Sequence, residues 1–429
     1  MHYTIPKGTF DILPHDPDPE GGWRESHLWQ YVEQIMRSLS EHYGFLEIRT
    51  PLFEAAELFI RGVGEGSDIV SKEMYLFQDK AGRELALRPE GTACVMRAFI
   101  EKHLDQQAGI KKFFYINPMF RYERPQAGRY RQHHQFGVEV IGDGSPECDG
   151  EVIALLVEIY KQLGLQNLSV NLNSVGDAQT RTAFHKALKE FLSPQKEQLS
   201  ADSQIRLEKN PLRILDSKDP TDQQLLQNAP SILDFLSPKA KEHFQRTIGL
   251  LQKAEIAFEV TPKLVRGLDY YNGVVFEVTS GELGAQNSVG GGGRYDGLLS
   301  TLGGPDLPSI GFGTGLERVI QTMLKQKAPL PSKKSPLLFL IPVGEKAKEA
   351  VFTLLLNLRR QFYVEVDWSS KRIGHSLSLA DTMGAIYALV LGEEELGSGQ
   401  IKVKNMKTRQ EIPLALEQLP IFLGRNPLS

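Results

Sequence analysis

Between His27 and Phe45 the chain reads HLWQYVEQIMRSLSEHYGF, and its apolar positions recur at intervals of three and four. Leu28, Val32, Ile35, Met36, Leu39 and Tyr43 then share one helical face, and Gly44 supplies the stop. Downstream the period falls to two. FLEIRTPLFE reads as extended, interrupted at Pro51, which cannot donate to a ladder and suits an edge or an interface. KKFFYINPMFRYER and HHQFGVEVIG read as two strands joined by a polar loop, VVFEV and SIGFG as further strands, and GLERVIQTMLKQ as a helix. Strands come in runs here, without a helix after each. That pattern predicts an α+β domain built on an antiparallel sheet.

The pattern changes twice more. From about Leu165 to Glu259 it turns helical and carries no strand-borne polar cluster, which predicts a helical insertion at about 175–259 inside a large domain spanning 1–325. The Pro- and Lys-rich run KQKAPLPSKKSP predicts a linker over 326–336. Beyond it LLFLIPV, FYVEVDW, IYALVLG and QIKVKNM alternate with helical stretches, giving a small α/β domain over 337–429.

Composition narrows the class. The chain has 429 residues, 41% apolar and 24% charged, enough to bury a large core without staples. Cys94 and Cys148 stand far apart and unaccompanied, with no metal-binding spacing, so a reducing compartment is expected. The first residues lack a basic segment followed by an apolar run, and no stretch approaches the ~20 residues of a membrane helix. A net charge of −4 gives no bulk attraction to nucleic acid, so any RNA contact would need a local basic patch.

Four stretches carry candidate chemistry. In HQFGVEV, alternation places Gln135, Gly137 and Glu139 on one face and Phe136, Val138 and Val140 on the other. The polar face shows an amide and a carboxylate flanking a glycine that leaves room for a ligand. Arg121 and Glu123 share a face of the preceding strand, and the loop between carries Arg124, Arg129 and Arg131. In RPEGT, Glu90 and Thr92 fall near a helix start, where capping competes with binding of a substrate ammonium. The run Gly290 to Gly293 reads either as a flexible turn or as a site of close backbone approach. The Arg294-Tyr295 that follows is not the Lys-Ser/Thr of a phosphate P-loop. Gly311, Gly313 and Gly315 share a parity and leave a bare strand face for a flat ring. Arg318 sits in the first turn of the next helix, where the dipole and the guanidinium both favour phosphate. LVRGLDYYNG adds an arginine, an aspartate and two adjacent tyrosines.

Together these residues resemble the class II aminoacyl-tRNA synthetases, and among them the histidyl-tRNA synthetase family, over nearly the whole chain. YGFLEIRTPLFE, PMFRYERPQAGRYRQHHQFGVEVIG and GFGTGLERVI are similar to the three class motifs, while LVRGLDYYNG and GGGGRYDGL resemble two signatures peculiar to the histidine enzymes. The resemblance implies a class II synthetase-like catalytic domain, a helical insertion and a terminal anticodon-binding α/β domain. It implies ATP-dependent activation of L-histidine and transfer to the 3′ end of tRNA(His), with Mg²⁺ accompanying ATP, in a cytoplasmic homodimer with Pro51 at its interface. No metal site fixed by a protein motif is implied.

Roles follow by resemblance. Arg121 and Arg266 would hold the α-phosphate from opposite sides, Arg318 the γ-phosphate, with Glu123 also at the ATP site. Glu90, Gly91, Thr92 and Gln135 would surround the α-ammonium of histidine. Glu139 and Tyr271 would bracket the imidazole nitrogens, and Tyr270, Tyr295 and Arg266 would complete the histidine pocket. Asn272 stands where the family usually has threonine, and RIGHSLSLADTMGA is poorer in lysine than its counterparts. Two other classes stay open: a histidine-binding regulatory subunit on the same scaffold, which tends to lose the arginines and the terminal domain, and an RNA-binding protein on a degenerate scaffold.

Overall fold

In the computed structural model the described residues are 3–64, 67–123, 129–281, 288–369 and 372–425. The chain divides into two compact units, Met1–Pro331 and Ser332–Ser429. The division falls inside the predicted linker.

The strands of the first unit, in chain order, are β1 (Leu46–Glu47), β2 (Phe53–Ala55), β3 (Tyr75–Gln78), β4 (Glu84–Leu87), β5 (Lys111–Phe120), β6 (Gln132–Ile141), β7 (Leu168–Ser174), β8 (Glu259–Val260), β9 (Val274–Ser280), β10 (Ser288–Arg294) and β11 (Ser309–Gly315). Eight form one sheet in the order β1-β5-β6-β11-β10-β9-β7-β8, and β2-β4-β3 form a small second sheet. From β5 to β7 every pairing in the large sheet is antiparallel, as the run of strands predicts. At its two margins, β1 on β5 and β8 on β7 are parallel. The sheet is therefore mixed rather than purely antiparallel.

Packing explains the alternation. Phe136, Val138 and Val140 of β6 enter the main core, with Phe276 and Val278 of β9 and Phe312 of β11. The helix Ser26–His42 brings Leu28, Val32 and Met36 into the same core, while Ile35, Leu39 and Tyr43 are partly buried against it. Gly44 turns the chain at φ +78°. The helix Pro146–Gln162 adds Val152, Ile153, Leu156 and Ile159.

The predicted insertion begins where the sheet strand Leu168–Ser174 ends, and within it the helix Pro238–Lys253 sends Phe244 and Leu251 into the main core. What lies between has a core of its own, around Phe184, Leu188, Leu192, Leu207 and Ile214.

Gly290 to Gly293 form most of β10, in the middle of the large sheet, and not a turn. A Cβ on Gly292 would lie 2.6 Å from the Phe312 Cα, and one on Gly293 2.6 Å from the Val274 carbonyl oxygen. The flanking strands are too close to admit side chains there. Weak strand propensity is overridden by pairing on both sides.

The second unit is a five-stranded sheet. Its strands are β12 (Leu338–Pro342), β13 (Val364–Val366), β14 (Tyr387–Leu391), β15 (Gln400–Asn405) and β16 (Glu411–Ala415), ordered β13-β12-β14-β15-β16. The first three are parallel and the last two antiparallel. Leu338, Leu340, Val351, Leu355 and Leu389 form its core.

Candidate active site

The polar face of the large sheet floors a cleft of about 530 Å³. Glu90, Thr92, Arg121, Glu123, Gln135, Arg266, Tyr270, Tyr271, Tyr295 and Arg318 all line it. Residues distributed over more than two hundred positions thus meet in one place. Arg129 also lines the cleft, whereas Arg124 lies outside the described residues.

Glu90 closes the start of the helix Thr92–Glu101: its carboxylate accepts from the amides of Thr92 (2.7 Å) and Ala93 (2.8 Å). Capping and ligand binding are not exclusive, because each carboxylate oxygen keeps a second lone pair. Burial pushes the Glu90 carboxyl above its ordinary range. An ammonium arriving beside it would favour the ionised form.

Glu139 is fully buried behind this wall rather than on it. Thr92 Oγ1 (2.8 Å) and the Tyr115 hydroxyl (3.1 Å) donate to one oxygen, and the Tyr295 hydroxyl donates to the other. Burial pushes its carboxyl up to about 8, against the pull of these three hydroxyls. Tyr270, Tyr271 and Tyr295 stack edgewise, with centroids 4.8 to 6.3 Å apart. Burial moves the Tyr271 phenol up to about 12.

Several glycine readings need correction. The space beside Gly137 is not open to a ligand, because the Tyr115 ring fills it. The same ring lies against Gly91, which keeps Gly91 out of the cleft wall. On β11, Glu139 lies over Gly311 and Gln135 over Gly313, so those glycines accommodate side chains of the neighbouring strand rather than a flat ring. Only Gly315 of the three keeps open room.

The arginines are held in place by carbonyls and carboxylates. Arg121 follows the end of β5, and its Nε donates to the Pro89 carbonyl at 2.8 Å. Arg318, in the first turn of the helix Leu316–Lys325, donates to the Ser288 carbonyl at 2.7 Å. Burial and the nearby Arg129 lower its affinity for its proton. Arg266 pairs with Glu277 of β9 and lies over Gly291, while its Nε is buried with no hydrogen-bond partner among the described residues. Glu123 pairs with Arg129 at 2.8 Å.

Some cleft residues were not anticipated. His133 faces the cleft, and burial, with Arg121 next, lowers its imidazole to about 3, so the ring stays neutral. Glu277 holds Arg266, and alternation along VVFEV could have shown that it opposes the core face. Asp216 and Lys218 come from the insertion, where no periodic signal marks them. Asn272 binds the Asp296 backbone at both ends of its amide, accepting from Asp296 N at 2.9 Å and donating to its carbonyl. A threonine offers one hydroxyl where the amide offers a separate donor and acceptor. Pro51 is exposed beside the small sheet, away from the cleft.

A family profile described as Histidyl-tRNA synthetase matches residues 20–319, and one described as Anticodon binding domain matches 338–426. A Histidine--tRNA ligase of Protochlamydia amoebophila is 56% identical over 98% of this chain and 99% of its own. One from Bacillus licheniformis is 46% identical over the whole of both chains. The crystal structure of apo S. aureus histidyl-tRNA synthetase superposes with a TM-score of 0.83 at 34% identity, covering 98% of this chain and all of that one. This chain belongs to the histidyl-tRNA synthetase family.

Proposed function

We propose that the cleft binds L-histidine and ATP side by side, forms histidyl-adenylate, and passes the histidyl group to the 3′ end of tRNA(His). The carrying observation is that the ammonium-site residues Glu90, Thr92 and Gln135, the tyrosines, and Arg121, Arg266 and Arg318 line one cavity. Such convergence weighs against a regulatory or degenerate scaffold, since neither needs the phosphate-facing arginines.

Neutral imidazole offers one donor and one acceptor. Glu139 would accept from it as the carboxylate, reached between the cleft-lining Thr92 and Tyr295 that now donate to it, and Tyr271 would serve the other nitrogen. The histidine carboxylate would attack the α-phosphate and release pyrophosphate. Arg121 and Arg266 would neutralise the charge that grows on the phosphate oxygens, so positioning and electrostatics carry the step. Mg²⁺ is the ion that ATP ordinarily brings. Glu123, Glu277 and Glu317 line the cleft but face Arg129, Arg266 and His134, and no ligand trio gathers among the described residues. The ion would therefore be held chiefly by phosphate oxygens. Histidine-dependent exchange of pyrophosphate into ATP, without tRNA, is the expected result. An enzyme that binds histidine but exchanges nothing would instead be a regulatory subunit.

The tRNA would be read by the second unit. Removing everything after Lys333 is expected to leave pyrophosphate exchange measurable and to weaken tRNA charging. Charging at the full-length rate would overturn the anticodon assignment. A homodimer fits the small sheet, where Leu52, Phe53, Leu76 and Phe77 are each 40% or more exposed beside Pro51. Apolar area so exposed is characteristic of an interface. Among the described residues no helix is long and apolar enough to cross a membrane, and both cysteines are free and buried. The free thiols fit a reducing, cytoplasmic setting.

A further inference from the structure

The stretch from Thr261 to Gly273, which carries Arg266, Tyr270 and Tyr271, contains no helix or strand. Its two ends are tied to the catalytic body. At entry, Asn173 Nδ2 donates to the carbonyls of Pro262 (3.0 Å) and Leu264 (2.9 Å). At exit, the Asn272 amide binds the Asp296 backbone. Leu268, Tyr270 and Tyr271 of the middle pack against neighbouring cores, yet a gap remains behind the segment. A crevice of about 280 Å³ lies there, walled by Val175, Arg181 and His185 on one side and by Arg266, Asp269 and Tyr271 on the other.

The insertion spans that gap. Arg213 Nε donates to Asp269 Oδ1 at 2.9 Å, and its terminal nitrogen donates to the Gly267 carbonyl at 2.9 Å. Asn210 Nδ2 adds a bond to the same Asp269 oxygen at 3.1 Å. The segment bearing these residues is anchored in turn. Ser217 Oγ donates to the buried Asp222 carboxylate at 2.5 Å, which also accepts from Ser200 and Ser203. A guanidinium fork that holds a carboxylate and a carbonyl together fixes orientation as well as distance.

We propose that Arg213 of the insertion is a positioning residue for adenylate formation, holding Asp269 and Gly267 so that Arg266 and Tyr271 face the reacting groups. The proposal rests on the roles given above to Arg266 and Tyr271. It makes the insertion part of the first reaction, before any tRNA is bound. Arg213 itself does not line the main cleft, so it acts through the loop.

The test uses the full-length protein and active-site titration with histidine and ATP to count competent sites. Per competent site, Arg213→Ala is expected to slow adenylate formation roughly 10–10²-fold, the scale of a sub-ångström to ångström misplacement of reacting groups. The KM for histidine should rise with it, while the KM for ATP stays within about twofold, since Arg121 and Arg318 are anchored elsewhere. Asp269→Asn should reproduce the defect, the double variant should be no worse than either single one, and added guanidinium ion should restore part of the Arg213→Ala rate. If Arg213→Ala only lowers the number of competent sites, with rate and both KM values per site unchanged, the proposal fails. Additive losses in the double variant would also overturn it. The wild-type protein run alongside separates the two questions: no exchange from it would sink the activity itself, not the role of Arg213.

Discussion

Arg266→Ala is expected to slow histidyl-adenylate formation by roughly 10²–10³-fold, the cost of losing one preorganised charge donor at a developing oxyanion. Histidine binding should weaken far less. The reason is geometric. Arg266 lies over Gly291, the glycine that allows its guanidinium to approach the sheet, and it is braced by Glu277 from β9. Its Nε is buried and has no hydrogen-bond partner among the described residues. A buried donor left unsatisfied is costly, and a phosphate oxygen would relieve that cost. The gain would be largest as negative charge gathers on the phosphate, so the interaction favours the transition state over the ground state. Single-turnover rates and equilibrium histidine binding separate the two effects, and equal losses in both would contradict this role. Arg266→Lys should rescue little, since an ammonium cannot keep the Glu277 contact and reach phosphate in the same fork. Glu277→Gln is the control for the carboxylate that Arg266→Ala leaves unpaired.

Much of this site was legible before any coordinates, for identifiable reasons. Period-two alternation put Gln135 and Glu139 opposite Phe136, Val138 and Val140, and the sheet keeps that division because one face is core. Leu28, Val32 and Met36 announced the first helix in the same way. What stayed hidden depends on contacts between distant segments. The LSVNLNS of β7 alternates at period two, with Leu168, Val170 and Leu172 toward the core, but nothing local shows that Asn173 on its polar face is buried because it ties down Pro262 and Leu264. The strand of four glycines has no propensity of its own and exists because β9 and β11 close on it. Tyr115 looked like one more aromatic in an apolar run. Its ring is wedged between Gly91 and Gly137, and its hydroxyl joins Gln135 to Glu139. No local pattern could show that these glycines make room for a side chain, not for a ligand. Asp216 and Lys218 reach the cleft only through the tertiary placement of the insertion.

Glu139→Gln is the second change expected to be severe, with a loss of at least about 10² in kcat/KM for histidine, because it removes a buried charged acceptor from a polar partner. Its pH dependence tests the assignment more sharply. Burial holds the carboxyl up to about 8, well above the ordinary 4.5 of an exposed glutamate. Between those two values the unfolded chain has lost the proton that the folded chain keeps. The contribution of Glu139 to stability is therefore whole below about 4.5, and it is lost as pH rises through about 8, at up to about 1.4 kcal/mol per pH unit for one proton. Glutamine carries no such term, so the stability of Glu139→Gln relative to wild type should improve across that window in denaturant titrations. Binding should show the complementary sign. Accepting the imidazole N–H requires the carboxylate, so near pH 7 histidine should expel a proton from the empty site, and its affinity should rise toward pH 8. Calorimetry in buffers of different ionisation enthalpy measures that proton directly. With Thr92, Tyr115 and Tyr295 all donating to Glu139, the ionised form is the one the pocket is built to receive. Binding without proton release at pH 7 would mean that Glu139 stays protonated and donates to the ring, and the acceptor role would have to pass to another group.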